Sequence, residues 1–524
     1  MLPGHPVETR GLNDTHAGLG ALPPSGAGWS PGRAVLWLIL ATTLLRLGFA
    51  ASLGLGVDES YMVAAGRVLS LGYFDHPPAA WWLAWGAGQM FGETAFTVRL
   101  PFIALFALST WLMYRLGAAY ADARAGFWAA FALNFSPVLG VTTASWVLPD
   151  GPLDCALVGA ALCLMHALAG RDQGGTRGWW LGAGLCAGLA LFSKYSAGLT
   201  IAGAILFLLS SRAHRHWLAR PEPYLAGLVA LAVFGPVLIW NATHGWASFA
   251  FQAARAGGAR FRPFLPLETL AGEALFLLPW IWLPMMWALF QALRRGPAEW
   301  RGWLLCCLGL PPIVAFAAIS AWSSQRVLFH WAAPGYLLLF PLLGALIVRL
   351  RDGGIRIVRP VLTFTALLVV LCVLVLATAV RFDWLHPVIA RINPKTDPTA
   401  EGLDWISLRD DLAARGLLAR PDTVIGALNW RDAGKIAFAL GADVTVVVLN
   451  ADARQFGVIR PASEQIGRDM VVLVPSHADR AEARILPMFA TVEALPPASI
   501  RHAGRVVAEV PMFLGRRLLA WPPE

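Results

Sequence analysis

Residues 34–61 read AVLWLILATTLLRLGFAASLGLGVDESY. About twenty largely apolar residues, enough to cross the hydrocarbon core of a bilayer, run directly into an acidic pair, Asp58-Glu59. Ten further apolar segments follow, at about 97–117, 125–143, 152–169, 179–192, 196–210, 222–241, 269–292, 302–319, 332–348 and 360–380. The expectation is an all-α polytopic membrane protein with about 11 spans, within a range of 10 to 13. Composition agrees. The 524 residues are 57% apolar and 14% charged, with 24 Trp and 27 Phe against three Lys. A soluble domain carries roughly 25% charged residues. A soluble enzyme, a disordered chain and a nucleic-acid-binding module are thereby excluded.

The net charge of +9 lies entirely in residues 1–380, because residues 381–524 hold 17 basic and 17 acidic side chains. Arginines gather in every second loop: Arg115 and Arg124; Arg171 and Arg177; Arg212, Arg215 and Arg220; Arg294, Arg295 and Arg301; Arg349, Arg351, Arg356 and Arg359. This alternation puts the N-terminus in the cytoplasm and residues 381–524 outside it. The opposite loops are poorer in basic residues, although 241–268 carries Arg255, Arg260 and Arg262.

Three units follow. Residues 1–32 read as a disordered cytoplasmic tail rich in Gly, Pro, Ser and Thr, with no apolar core of a secretory signal. Residues 33–380 form the membrane domain, with an external loop at 56–96. Residues 381–524 read as a small extracytoplasmic α/β domain, with short strands at Val424–Leu428, Val444–Leu449 and Met470–Val474 and a helix around Asp432–Leu440. The six cysteines lie in apolar runs, show no zinc or disulfide spacing, and read as small buried hydrophobes.

Acidic residues carry the chemistry. Asp58, Glu59 and Asp75 fall in the first external loop, and Asp150 follows the third span. Charge beside lipid is costly, so such a cluster reads as functional unless it merely solvates its loops. The first loop also holds Tyr61 and the run Gly72-Tyr-Phe-Asp-His-Pro-Pro78, followed by Trp81, Trp82 and Trp85. Two carboxylates, His76 and two tyrosines at a membrane surface suit activation of a hydroxyl by a general base, and equally a proton relay in a transporter. Lys194 is the only lysine before residue 395, between two apolar segments on the outer side. It reads as a phosphate contact or as a lysine snorkelling to the interface. Arg255 and Arg260 read as an anion site or as an interfacial helix, and His330 as a ligand contact or an interfacial histidine.

Several of these residues fall in motifs. The chain resembles membrane glycosyltransferases of the GT-C fold, in the superfamily of protein O-mannosyltransferases and aminoarabinose transferases, and is most similar to the bacterial branch of lipid A galacturonosyltransferases. The resemblance rests on Asp58-Glu59, Tyr73-Phe-Asp-His-Pro-Pro78, Pro149-Asp150-Gly-Pro152, Phe192-Ser-Lys-Tyr195, the run His244 to Gln252, and His330-Trp-Ala-Ala-Pro-Gly-Tyr336, in order across about residues 34–450. It implies a polyprenyl-phosphate-linked sugar as donor, inversion at the anomeric carbon, and a lipid, glycan or protein hydroxyl as acceptor in the bacterial inner membrane. Asp58 falls on the position of the base, with Asp75 as a second catalytic carboxylate. Glu59, Tyr61, His76, Asp150, Lys194, Arg255, Arg260 and His330 become substrate contacts. His76 stands where aminoarabinose transferases have a phosphate-contacting lysine. No metal ligand set or certain cofactor is implied, and a divalent cation stays open. The competing reading is a transporter or lipid flippase, which should place its charges mid-span and show related halves. An anchored binding module would not need eleven spans.

Overall fold

The computed structural model describes residues 30–170, 175–258, 261–323, 326–392, 402–419, 423–476 and 481–519. The disordered tail expected for residues 1–32 therefore lies outside them except at its last three positions. The helices are α1 (Pro31–Ser52), α2 (Val57–Ala65), α3 (Ala79–Phe91), α4 (Leu100–Tyr120), α5 (Ala123–Asn134), α6 (Asp150–Ala169), α7 (Thr176–Ser193), α8 (Ala197–Ser210), α9 (Pro221–Thr243), α10 (Ala247–Ala256), α11 (Leu265–Leu277), α12 (Pro279–Arg295), α13 (Trp300–Ser320), α14 (Ala333–Leu337), α15 (Phe340–Asp352) and α16 (Val358–Phe382). Every expected apolar segment is helical. Among the described residues, six helices are long and apolar enough to cross a membrane, or up to eight if each of two bent pairs is one span.

Three expected spans are broken, one of them 332–348, where the stretch ending at Leu337 and the helix from Phe340 meet at 64°. Within 125–143, α5 stops before Pro137, which has no N–H to donate and clashes with the turn before it. A π-helical turn at Val138–Thr143 resumes the chain. Arg46 of α1 fills the gap, donating to the carbonyls of Gly140 at 2.8 and 3.0 Å and Asn134 at 3.5 Å. Within 269–292, α11 and α12 meet at 113°. Leu278 makes that corner with φ at 70°, and Pro279 starts the new helix. Of the cysteines, Cys372 is exposed on α16, contrary to the expectation of burial.

The C-terminal part adds α17 (His386–Ile392), α18 (Ile406–Ala414), β1 (Val424–Ala427), α19 (Trp430–Leu440), β2 (Thr445–Val448), α20 (Gln455–Ile459), β3 (Met470–Leu473), α21 (Ala481–Ile485), β4 (Phe489–His502) and β5 (Arg505–Leu518). The three expected strands are parallel neighbours, with β1 between β2 and β3. A long antiparallel hairpin, β4–β5, extends the sheet from β3 to give the order β2-β1-β3-β5-β4. Sequence reading missed that hairpin. Pro496, Pro497 and Pro511 lie inside it, and proline argues against a strand. The register shifts between Leu495 and Ala498, where the proline pair sits.

One hydrophobic core joins the first loop to this sheet. Tyr61, Tyr73, Trp81 and Phe102 are buried with Ile425, Ile436, Val446 and Phe456. Tyr73 stacks on Trp81 at 4.2 Å, and Tyr61 meets Trp81 and Trp430 edge-on at 5.2 and 5.0 Å. Truncating a fully buried Trp such as Trp81 to Ala costs ~3–5 kcal/mol. Backbones touch at two glycines. A Cβ on Gly434 of α19 would lie 2.8 Å from the Tyr61 backbone, and one on Gly54 would lie 2.4 Å from the amide nitrogen of Asp404. Only glycine permits either approach.

Candidate active site

The sequence turns sharply after α1, and α2 starts at the acidic pair. Glu59 accepts from the Gly56 N–H at 2.9 Å, which caps the helix, and both acids complement the positive end of its dipole. Glu59 then turns inward. Its two oxygens receive Arg99 Nε at 2.8 Å and Nη2 at 2.6 Å, and the Val147 N–H adds a third donor at 3.0 Å. Arg99 also reaches the carbonyls of Ala50, Leu53 and Gly54. Both side chains are 2–3% exposed. Burial alone would raise the Glu59 carboxyl, but Arg99 outweighs it and holds the group below its ordinary value. The expectation of Glu59 as a substrate contact is therefore revised: its carboxylate is occupied by the protein. It fixes the bend on which Asp58, its exposed neighbour, is presented. Sequence reading missed Arg99; a lone arginine opening an apolar helix was the available signal.

Asp75, in the same loop, is buried. The Tyr61 hydroxyl donates to its Oδ1 at 3.2 Å, and Arg454 Nη1 lies 3.2 Å from its Oδ2. Gln252 of α10 donates to its backbone carbonyl at 2.6 Å. Burial pushes the carboxyl up, Arg454 offsets part of the rise, and the nearby charge of Asp58 adds to it. Gln455 completes the tie, with its N–H on the Tyr61 hydroxyl and its side-chain carbonyl taking the Phe74 N–H. Arg454 and Gln455 were not singled out in the sequence. They stand in a polar stretch with no local signal, nearly 380 positions from Asp75.

A second ion pair stands alongside. Asp150 opens α6 as an acid at a helix N-terminus. Lys194, just past the end of α7, reaches both of its oxygens, at 2.8 and 3.0 Å. His76 lies close to this pair. Burial pushes its imidazole down to about 3, and the charges of Lys194, Arg255 and Arg454 add to the effect while Asp150 opposes it. The ring is therefore neutral, and its buried Nδ1 has no hydrogen-bond partner among the described residues. His330 is near enough to Asp150 to interact with it electrostatically. One turn deeper on α6, Asp154 is buried, and neither of its oxygens meets hydrogen-bond geometry with any of the described residues. Further buried charges were also missed, among them Arg46, and Glu273, which takes the Tyr336 hydroxyl at 2.6 Å.

Arg255 completes the basic side. Its guanidinium stacks over Trp331 at 4.5 Å and Phe251 at 5.4 Å. Burial and Arg454 lower its proton affinity, while Asp75 and Asp58 raise it. Arg260 lies outside the described residues. Asp58, Asp75, Tyr61, His76, Asp150, Lys194, Arg255 and His330 thus come to one region, joined by Arg454. Among the described residues, no group of three or more His, Cys, Asp or Glu side chains is arranged to hold a metal.

The motifs are physically tied. Ser248 of α10 meets the Tyr195 hydroxyl at 2.6 Å, so the 244–252 run grips the segment after α7 and, through Gln252, the first loop. A site of mixed ion pairs, where short first-loop helices meet a bundle of long apolar helices and a small α/β domain, defines a polytopic membrane protein of the GT-C fold. Residues 75–240 match the family of dolichyl-phosphate-mannose-protein mannosyltransferases. The fold is similar to that of ArnT from Cupriavidus metallidurans bound to undecaprenyl phosphate (TM-score 0.64, 14% identity, 93% of this chain and 98% of that one). It is also similar to the same protein in the apo state (TM-score 0.62, 15% identity, 92% and 98%). The oligosaccharyltransferase AglB from Archaeoglobus fulgidus, in complex with an inhibitory peptide and a dolichol-phosphate, is more distant (TM-score 0.52, 12% identity, 95% and 75%). A search of curated protein sequences gives no match. The chain therefore shares the fold of ArnT, and residues 75–240 carry the likeness to the mannosyltransferase family.

Proposed function

We propose that the protein is an inverting glycosyltransferase that moves a sugar from a polyprenyl-phosphate donor to an acceptor hydroxyl on the outer face of the bacterial inner membrane. The observation that carries this is the meeting of three cations, Lys194, Arg255 and Arg454, with three carboxylates, Asp58, Asp75 and Asp150, in one region. Asp58 is exposed at the opening and takes the proton from the acceptor hydroxyl as that oxygen attacks the anomeric carbon. The sugar–phosphate C–O bond breaks on the opposite side. Lipid phosphate leaves with the electron pair, and the cations stabilise the charge growing on it. Neutral His76 offers a hydrogen bond rather than a charge. The C-terminal domain closes the site over the first loop. Acceptors in keeping with this chemistry are lipid A or another glycolipid, a glycan, or a protein hydroxyl.

The transporter reading asks for charges that change partners inside the bundle. Arg46 and Glu273 are instead tied to fixed internal groups, and the converging set stands at helix ends. Mass spectrometry of membrane glycolipids with and without the protein tests the proposal. A sugar-sized mass difference on one acceptor is expected. Identical glycolipid, glycan and protein profiles, together with no turnover of undecaprenyl-phosphate sugars by the purified protein, would reject it.

A further inference from the structure

The setting of Arg454 is unusual in three respects. Its backbone has φ at 48°, a region that non-glycine residues enter at a cost and that clusters at functional sites. Its guanidinium lies 3.8 Å over the Trp430 ring and 5.2 Å over Phe251, the same ring on which Arg255 stacks at 5.4 Å. One phenyl ring thus brings two guanidinium groups together. The charge of Arg454 helps to lower the proton affinity of Arg255, and both charges help to lower that of His76. Like charges held around one ring repel, and an anion between them relieves the repulsion. Finally, Arg454 is incompletely engaged. Among the described residues it meets Asp75 through Nη1 alone, lies 3.6 Å from Asp452 through Nε, and leaves that buried Nε without a hydrogen bond. An arginine placed only to neutralise a buried carboxylate would be expected to meet it with two parallel bonds, as Arg99 meets Glu59.

We propose that Arg454 is an exchangeable cation: it rests on Asp75 in the empty protein and moves to the donor's lipid phosphate, beside Arg255, when the donor enters. The C-terminal domain thereby supplies part of the phosphate site. Donor occupancy also releases Asp75, which becomes available to a substrate hydroxyl only when there is a sugar to transfer. The aromatic faces of Trp430 and Phe251 let the guanidinium slide between partners while remaining stacked. This rests on the donor class proposed above.

The test measures binding of undecaprenyl phosphate to the full-length purified protein, with undecaprenol and inorganic phosphate as controls. Arg454→Gln should weaken undecaprenyl phosphate binding by about 10- to 100-fold, the range of a charge-assisted hydrogen bond, and Arg454→Lys should recover part of it. Asp75→Asn is the sharper variant. With no carboxylate holding it, Arg454 is free for the phosphate, so binding should tighten several-fold, and the gain should vanish in the Asp75→Asn, Arg454→Gln double variant. A purely structural Arg454–Asp75 pair would give no tightening. Unchanged binding in Arg454→Gln, or a gain in Asp75→Asn that persists without Arg454, overturns the exchange while leaving the donor class intact. Parent protein that prefers undecaprenyl phosphate over neither control overturns both. If Arg454→Gln does not fold, the Asp75→Asn variant alone decides: equal or weaker binding sinks the exchange.

Discussion

Glu59→Gln isolates the charge of the first-loop lock while keeping its shape. In the parent, the Arg99 guanidinium lies between a carboxylate and three carbonyls at the end of α1, with almost no water contact. A glutamine retains one accepting oxygen, turns the other position into a donor facing Arg99, and leaves the guanidinium charge uncompensated. Removing one partner of a buried pair costs ~3–5 kcal/mol, because the remaining charge stays desolvated. Replacing both groups with apolar ones of similar volume, Glu59→Leu with Arg99→Met, should cost much less than the two single changes summed. The assay is thermal unfolding in detergent followed by Trp fluorescence, completed as a double-mutant cycle. Acid should weaken the same contact. The folded carboxyl titrates below its unfolded value of 4.5, so its stabilisation is present above that value and is lost as pH falls through the depressed folded value. If Glu59→Gln unfolds within ~0.5 kcal/mol of the parent, the lock is wrong. If it is stable but no longer binds substrate, Glu59 is the contact that the sequence suggested.

Asp58→Asn should leave a folded protein that still binds undecaprenyl phosphate but turns over ~10²–10⁴-fold more slowly; near-normal turnover would pass the role of base to Asp75. Lys194→Ala should weaken both donor affinity and turnover, with Lys194→Arg retaining part, and pairing it with Asp150→Asn should restore folding without restoring affinity; parent-like binding by Lys194→Ala would mean that the lysine serves Asp150 alone. Reporter fusions after Arg220 and after Asn393 should read opposite sides of the membrane, as the arginine alternation requires; the same side for both would break the span order.

The membrane half was legible because burial in lipid writes itself as long apolar runs, and each of those runs is helical. The breaks were harder to see. Pro137 and Pro279 sit in segments apolar enough to read as continuous, and only the bundle decides whether a proline bends or ends a helix. In the C-terminal domain, the short buried strands announced themselves as Val424–Leu428 and Met470–Val474, whereas the prolines of the β4–β5 hairpin disguised it. The site divided along similar lines. Asp58, Asp75, Asp150 and Lys194 were visible as charges beside apolar runs. The roles of Glu59 and Asp58 differ because one residue faces inward and the other outward, which is a property of the turn at Gly56 rather than of residue type. Arg454 was invisible, since an arginine in a polar loop carries no mark until the fold brings it to a carboxylate.

That placement has a consequence for how the chain is made. Tyr61 and Trp81 complete their packing only against Trp430 and Phe456, and Gly434 must slide to within touching distance of the Tyr61 backbone. A ribosome delivers the first loop some 350 residues before those partners exist. For that interval an apolar, aromatic surface waits outside the bundle while the later helices insert, and contacts so distant in sequence form last. Chains released before residue 420 should therefore insert normally yet remain sensitive to protease within 56–96. The quality check on a finished molecule is then the docking of its last hundred residues onto its first.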